Sequence, residues 1–167
     1  MYDIGQATTF DGLPADISSN APEGILWLKS FWTSLDSLDT SASPPLTAVV
    51  SPVCQFRVNG SEPRDLNHIQ ESFSQRSQFL SEFGHTKYPV KVIDVDLGNG
   101  KRLLSVQSTS VSVIKADPDQ TELRVAESTV IELETYEGKL LATNVVSYLD
   151  PMPVLAKMQE VTTIPQP

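Results

Sequence analysis

The chain has 167 residues, 40% of them hydrophobic, and sets 12 Lys+Arg against 21 Asp+Glu for a formal net charge of −9. That length is about one domain, able to bury roughly two-thirds of its unfolded surface. Twelve scattered cations do not make the basic field that nucleic acid or an anionic bilayer requires, so neither is an expected partner.

Cys54 is the single cysteine, which excludes an intrachain disulfide and a thiolate metal cluster. The opening "MYDIGQATTFDGLPADISSN" has neither the positive region nor the apolar core of a secretory signal. No apolar run approaches the roughly 20 residues of a membrane span. A soluble, cytoplasmic protein is the expectation.

Residues 1–19 lack sustained periodicity and read as an extended or mobile arm. "SNAPEGILWLKSFWTSLDSL" opens with the capping types Ser19 and Asn20, then Pro22 and Glu23. Ile25, Leu28, Phe31, Trp32, Leu35 and Leu38 recur at steps of three and four, so a helix is predicted over 21–38. "DTSASPP" breaks it, and "LTAVV" gives at most one or two helical turns. "PVCQFRVNG" alternates Cys54, Phe56 and Val58 with polar residues and reads as a half-buried strand.

A second helix is predicted over 64–83, with Leu66, Ile69, Phe73, Leu80 and Phe83 as its stripe and Gly84 as its stop. Arg76 stands where that stripe calls for an apolar residue. The remainder reads as strands separated by Gly98-Asn99-Gly100, "ADPDQ" and Glu137-Gly138, ending in "GKLLATNVVSYLDPMPVLAKM". In that last strand Thr143, Asn144, Ser147 and Tyr148 put polar groups on both parities, as a strand lining a cavity would. The pattern is α+β with a strongly curved antiparallel sheet of four to six strands.

This order of elements, with "YEGKLLATNVVSYLDPMPVL" closing it, resembles the NTF2-like or SnoaL-like cone fold over residues 20–158, leaving 159–167 as a C-terminal tail. The resemblance implies helices covering the concave face of the sheet and a pocket lined by the last strand. It also implies a homodimer paired through the outer sheet face. Fold alone does not give function. The family's enzymes make a cofactor-independent lyase, isomerase or cyclase the expectation. The substrate would be a hydrophobic polyketide- or terpenoid-derived intermediate of secondary metabolism, undergoing dehydration, rearrangement or ring closure, pericyclic closure included. The alternative is a noncatalytic ligand-binding or dimerisation module; a cavity of several hundred cubic ångströms holding Glu127 or His85 would favour the enzyme.

Parity along "VAESTVIELETY" puts Ile131 and Leu133 inside, and extends the inner set through Thr129 to Glu127, unless a sheet end or bulge returns Glu127 to solvent. An unpaired carboxylate on a covered face costs several kcal/mol, so Glu127 inside must be protonated, paired or in a cavity. His85, where helix gives way to strand, is a proton carrier near neutral pH or an ordinary loop histidine. The resemblance favours the first, since dehydratase-like relatives carry a pocket histidine near this point. Arg76 either reaches an anion such as Glu127 or snorkels to the surface. Glu127, His85 and Arg76 are the catalytic candidates; Tyr148, Ser147, Asn144, Ser110, Phe73 and Trp32 are the substrate-binding ones. Asp94 and Asp96 alternate with Ile93, Val95 and Leu97 and read as the solvent face of their strand. His68 reads as surface, and Cys54 and Ser110 lack a visible base. Ser147 stands where limonene epoxide hydrolase carries an aspartate, so epoxide hydrolysis is not expected, and two histidines leave no Tyr-plus-two-His set like that of scytalone dehydratase. No metal-ligand spacing and no phosphate-cradling glycine loop occurs, so no metal or cofactor is expected.

Overall fold

The computed structural model describes residues 5–38 and 45–163. Seven strands form one curved, unclosed sheet: β1 (Ala7–Gly12), β2 (Val50–Val58), β3 (Leu80–Gly84), β4 (Val90–Gly98), β5 (Lys101–Ile114), β6 (Leu123–Tyr136) and β7 (Lys139–Leu149). Three helices accompany it: α1 (Glu23–Leu35), α2 (Leu66–Phe79) and α3 (Met152–Thr163). The path across the sheet is β1-β4-β5-β6-β7-β2, with β3 paired to β5. All pairs are antiparallel except β2 with β7, which makes the sheet mixed rather than wholly antiparallel. The fold is the α+β cone.

The hairpins follow from their turns. Asn99 and Gly100 have φ of 53° and 72°, and Glu137 and Gly138 have 49° and 77°, the paired positive values that close a two-residue hairpin with the twist of its strands. The arm is an edge strand at Ala7–Gly12, paired with Val90–Val95. Residues 152–163, divided between domain and tail by the sequence reading, form one helix. The "DTSASPP" break lies largely outside the described residues.

α1 lays Ile25, Leu28, Phe31 and Trp32 onto the concave face, where they join Val92, Leu104, Val106, Ile131, Leu133 and Val145 in the main core. Trp27 anchors the helix by donating from Nε1 to the Val49 carbonyl at 3.0 Å. Pro22 occupies the N-cap and no side chain caps the helix, so Ser19 and Asn20 do not play that role.

The second helix ends at Phe79, short of the predicted 83, and Leu80–Gly84 continues as β3. The cause lies outside the segment. β5 is 14 residues long, and β4 pairs only with its first half, through Gln107. Its second half takes β3, from Leu80 opposite Ile114 to Gly84 opposite Val111. Backbone groups left open on β5 outweigh a helical stripe that Arg76 already interrupts.

The parity of β4 is the reverse of the sequence reading. Val90, Val92 and Asp94 face inward, while Ile93 and Leu97 are exposed at 46% and 53%. Asp94 is 0% exposed and holds Arg102 through contacts of 3.0 and 3.1 Å from Nε and Nη2. It lies against the first turn of α1, where a Cβ at Gly24 would come within 2.6 Å of its Oδ2. A carboxylate beside the first turn of a helix and paired with an arginine is tolerated inside, which simple alternation does not register.

Candidate active site

β3 and β4 lie end to end along the same edge of β5, and the chain crosses between them at residues 85–89. Gly84 is opposite Val111 and Lys91 is opposite Gln107, so Ser108, Thr109 and Ser110 face this crossing. His85 enters the cone there, 3% exposed. Its backbone N–H donates to Asp36 Oδ2 at 2.7 Å, and Nδ1 meets Asp36 Oδ1 at 2.6 Å. Its Nε2 meets Glu127 Oε2 at 3.2 Å, and Ser110 Oγ donates to Glu127 Oε1. The ring stacks on Trp32 (5.9 Å between centroids, 9° between planes) and meets the Phe83 ring edge-on at 5.4 Å.

Burial would push the His85 pKa down, but hydrogen bonds to Asp36 and Glu127, with their charges, raise it to about 9. Both ring nitrogens therefore donate, and the ring is an imidazolium at neutral pH. Burial would raise the Glu127 pKa; the hydrogen bond and charge of His85, the Ser110 hydroxyl and the charge of Arg76 together hold it below the usual carboxylate value. Arg76 does not pair with Glu127. Its guanidinium lies 3.8 Å from the Phe83 ring centroid and 4.5 Å from that of Phe73, and Nη2 donates to the Leu35 carbonyl. Its Nε is buried with no hydrogen-bond partner. Burial brings its pKa down to about 10 against the pull of Asp36 and Glu127. Two carboxylates and two cations thus make a cluster of zero net charge.

The cavity beside this cluster has a volume of about 140 Å³, well below the several hundred of the sequence-based expectation. Leu28, Phe31, Phe56, Ile69, Val106, Ile131 and Val145 give it apolar walls, with Trp32 and Phe73 also among the lining residues. Glu127, His85, Ser108, Thr129 and Ser147 supply its polar side, and Arg57 and Val58, both exposed, stand at the mouth.

Ser110 is reached through Glu127 and is 3% exposed. Asn144 and Tyr148 are not in the site: Asn144 is opposite Glu132 and donates to its Oε1 at 3.3 Å, and Tyr148 is opposite Ser128 and 56% exposed. A register shift beside Glu132 turns part of β7 over, so the polar residues on both parities serve both faces. On β5 Ser108 and Ser110 turn inward, while Gln107 faces out. Asp36 escaped the sequence reading because it just follows α1, at its C-cap, off the apolar stripe; a carboxylate in "SLDSLD" carries no local signal of a partner at residue 85. His68 is exposed and meets Asp65 Oδ1, its helix cap, at 2.7 Å. Burial pushes the Cys54 thiol up to about 12, where it is no nucleophile. Among the described residues no group of three or more His, Cys, Asp or Glu is arranged to hold a metal, and no helix is long and apolar enough to cross a membrane.

No family model matches the chain, and neither does any curated protein. Solved structures do, and they show the cone fold. A LinA-type3 hexachlorocyclohexane dehydrochlorinase from Novosphingobium barchaimii LL02 is similar at TM-score 0.57 and 11% identity, over 74% of this chain and 82% of its own. The BvnE pinacolase of Penicillium brevicompactum is similar at 0.51 and 14%, over 79% and 89%. A calcium/calmodulin dependent protein kinase II association domain from Xanthomonas campestris is similar at 0.54 and 16%, over 90% and 97%.

Proposed function

We propose that this chain is a cofactor-independent lyase or isomerase in which Glu127 and His85 move a proton on an oxygenated, largely apolar substrate. The observation that carries this reading is the His85–Glu127 pair in the wall of the cavity, acid and base 3.2 Å apart, with Asp36 on the other nitrogen of the ring. Among the described residues, His85, Glu127 and, at the mouth, Arg57 are the ionisable side chains that line it. Perturbed, mutually coupled groups facing an apolar cavity are the usual makings of an acid–base site.

The chemistry follows from the protonation states. Glu127 takes a proton from a carbon next to a carbonyl or hydroxyl. The imidazolium N–H at Nε2 protonates the oxygen that gains charge or leaves as water. The proton on Glu127 then crosses to Nε2 along the hydrogen bond between them, and the pair is restored. In an isomerisation Glu127 returns its proton to another carbon of the substrate while the oxygen gives its proton back to Nε2. Asp36 keeps Nδ1 protonated and the ring in place throughout.

Likeness to a dehydrochlorinase and a pinacolase supports the lyase or isomerase class. The substrate in this proposal is a polyketide- or terpenoid-derived intermediate of secondary metabolism, its reacting end in the cavity and the remainder over the mouth. The chain works in the cytoplasm as a homodimer, paired through an outer sheet face that exposes Ile93, Val130 and Tyr148.

The test needs no knowledge of the native substrate. Cyclohexanone is incubated with the protein in D2O, and deuterium entering next to the carbonyl is followed by NMR. The proposal expects exchange well above the buffer rate. The small cavity and the likeness to an association domain favour a second reading, a noncatalytic module. Bound ketone with exchange at the buffer rate would establish that reading instead.

A further inference from the structure

The polar side of the cavity has two parts. Glu127 and Ser108 are direct partners across β6 and β5, and His85 joins them. Thr129 follows Glu127 by two residues on the same face, roughly 6.6 Å along the strand. It is opposite Ser147 on β7, and the two hydroxyl oxygens are 2.9 Å apart. Both line the cavity.

Two hydroxyls carry two hydrogens, and one of them lies between Thr129 and Ser147. The other has no protein acceptor among the described residues, and Ser108, 8% exposed, has no protein partner for its hydroxyl either. Uncommitted donors beside Phe56, Val106, Ile131 and Val145 are costly unless something in the cavity accepts from them. A row of valines would fill the same wall without that cost, so packing does not explain the hydroxyls.

From this we infer that Thr129 and Ser147 form a second recognition point, and that the part of the substrate seated in the cavity is a neutral single ring with oxygen functions at two ends. One oxygen meets Glu127, His85 and Ser108; the other accepts from the Thr129–Ser147 pair. The volume of about 140 Å³ is that of a ring-sized guest, since an apolar cavity of about 150 Å³ is known to hold benzene. A carboxylate or phosphate is disfavoured because walls that are largely apolar cannot replace the water shell of a full charge. The inference rests on the cavity being the substrate site proposed above, and adds which substrates it selects.

The experiment compares the binding of cyclohexanone and 4-hydroxycyclohexanone by NMR titration of the Val106, Ile131 and Val145 methyl groups. It is run on the wild type, on Thr129→Val/Ser147→Ala and on Glu127→Gln. Wild type should prefer the two-oxygen ring by a few-fold to about tenfold, the yield of one hydrogen bond. Thr129→Val/Ser147→Ala should lose the preference, because replacing both members of a hydrogen-bonded pair with apolar groups of like shape leaves nothing unsatisfied. If that variant does not fold, Thr129→Ala/Ser147→Ala, which also removes both donors, is read in the same way. Glu127→Gln should keep the preference while losing deuterium exchange, so failure of the catalytic reading shows separately. Equal affinities in the wild type, no binding of either ring, or a preference that survives the hydroxyl substitutions overturns the inference.

Discussion

Asp36 holds His85 at two points, accepting the backbone N–H at Oδ2 (2.7 Å) and the ring Nδ1–H at Oδ1 (2.6 Å). One carboxylate thus fixes both where the chain enters the cone and which way the imidazole faces. With Glu127 on Nε2, the ring keeps its proton far above the usual histidine range.

Stability should depend on pH accordingly. The folded pKa of His85 is about 9 against a usual 6.5, so its contribution is full below about 6.5 and is lost as pH rises through 9. Glu127, held below its usual 4.5, works in the opposite direction: its contribution is present above that value and is lost as pH falls through the lowered one. Urea unfolding at pH 7 and pH 10 should differ by about 3 kcal/mol, from the shift of His85 alone. Asp36→Asn should flatten much of that alkaline loss.

Arg76 acts on Glu127 through charge and not contact. Arg76→Met keeps the stem over the Phe73 and Phe83 rings but removes the cation, so the Glu127 pKa should rise. The acid limb of the exchange rate against pH should move to higher pH. A profile that stays in place would show that Arg76 serves packing alone.

Asp94→Asn tests the inverted parity of β4. A surface aspartate would be indifferent to the change; this one is fully buried on Arg102, which keeps a second partner in Asp96 at 3.2 Å. Loss of about 2 kcal/mol in urea unfolding is expected, with deuterium exchange by the folded protein unchanged. Gly24→Ala should also destabilise, because its new methyl would press on the Asp94 carboxylate.

What could be read in the sequence was what local periodicity determines. The α1 stripe and the β6 parity carried Trp32 and Glu127 to the site, and the helix-to-strand change located His85. What could not be read depends on distant partners. Leu80–Gly84 is strand because half of β5 needs a neighbour. Asp94 is inside because Arg102 and α1 receive it. Asp36 matters because of a histidine on another element, and Asn144 and Tyr148 face outward because β7 shifts register.

The outer sheet face supplies the test of assembly. Ile93, Val130 and Tyr148 are exposed there beside Gln107 and Ser128, with Glu132 two residues beyond Val130 on the same face. Light scattering at micromolar concentration should give twice the 18.3 kDa of one chain. Val130→Lys should return it to one chain's mass, and one-chain mass for the wild type would remove the proposed dimer.

The central claim is that Glu127 takes the proton, and Glu127→Gln measures it most directly. The variant keeps the shape of the side chain and its contact with Ser110 but removes the base. Deuterium entry into cyclohexanone should fall by about 10²–10⁴-fold, the usual contribution of a general base, at an unfolding midpoint close to wild type. Exchange at the wild-type rate in folded Glu127→Gln would contradict the account.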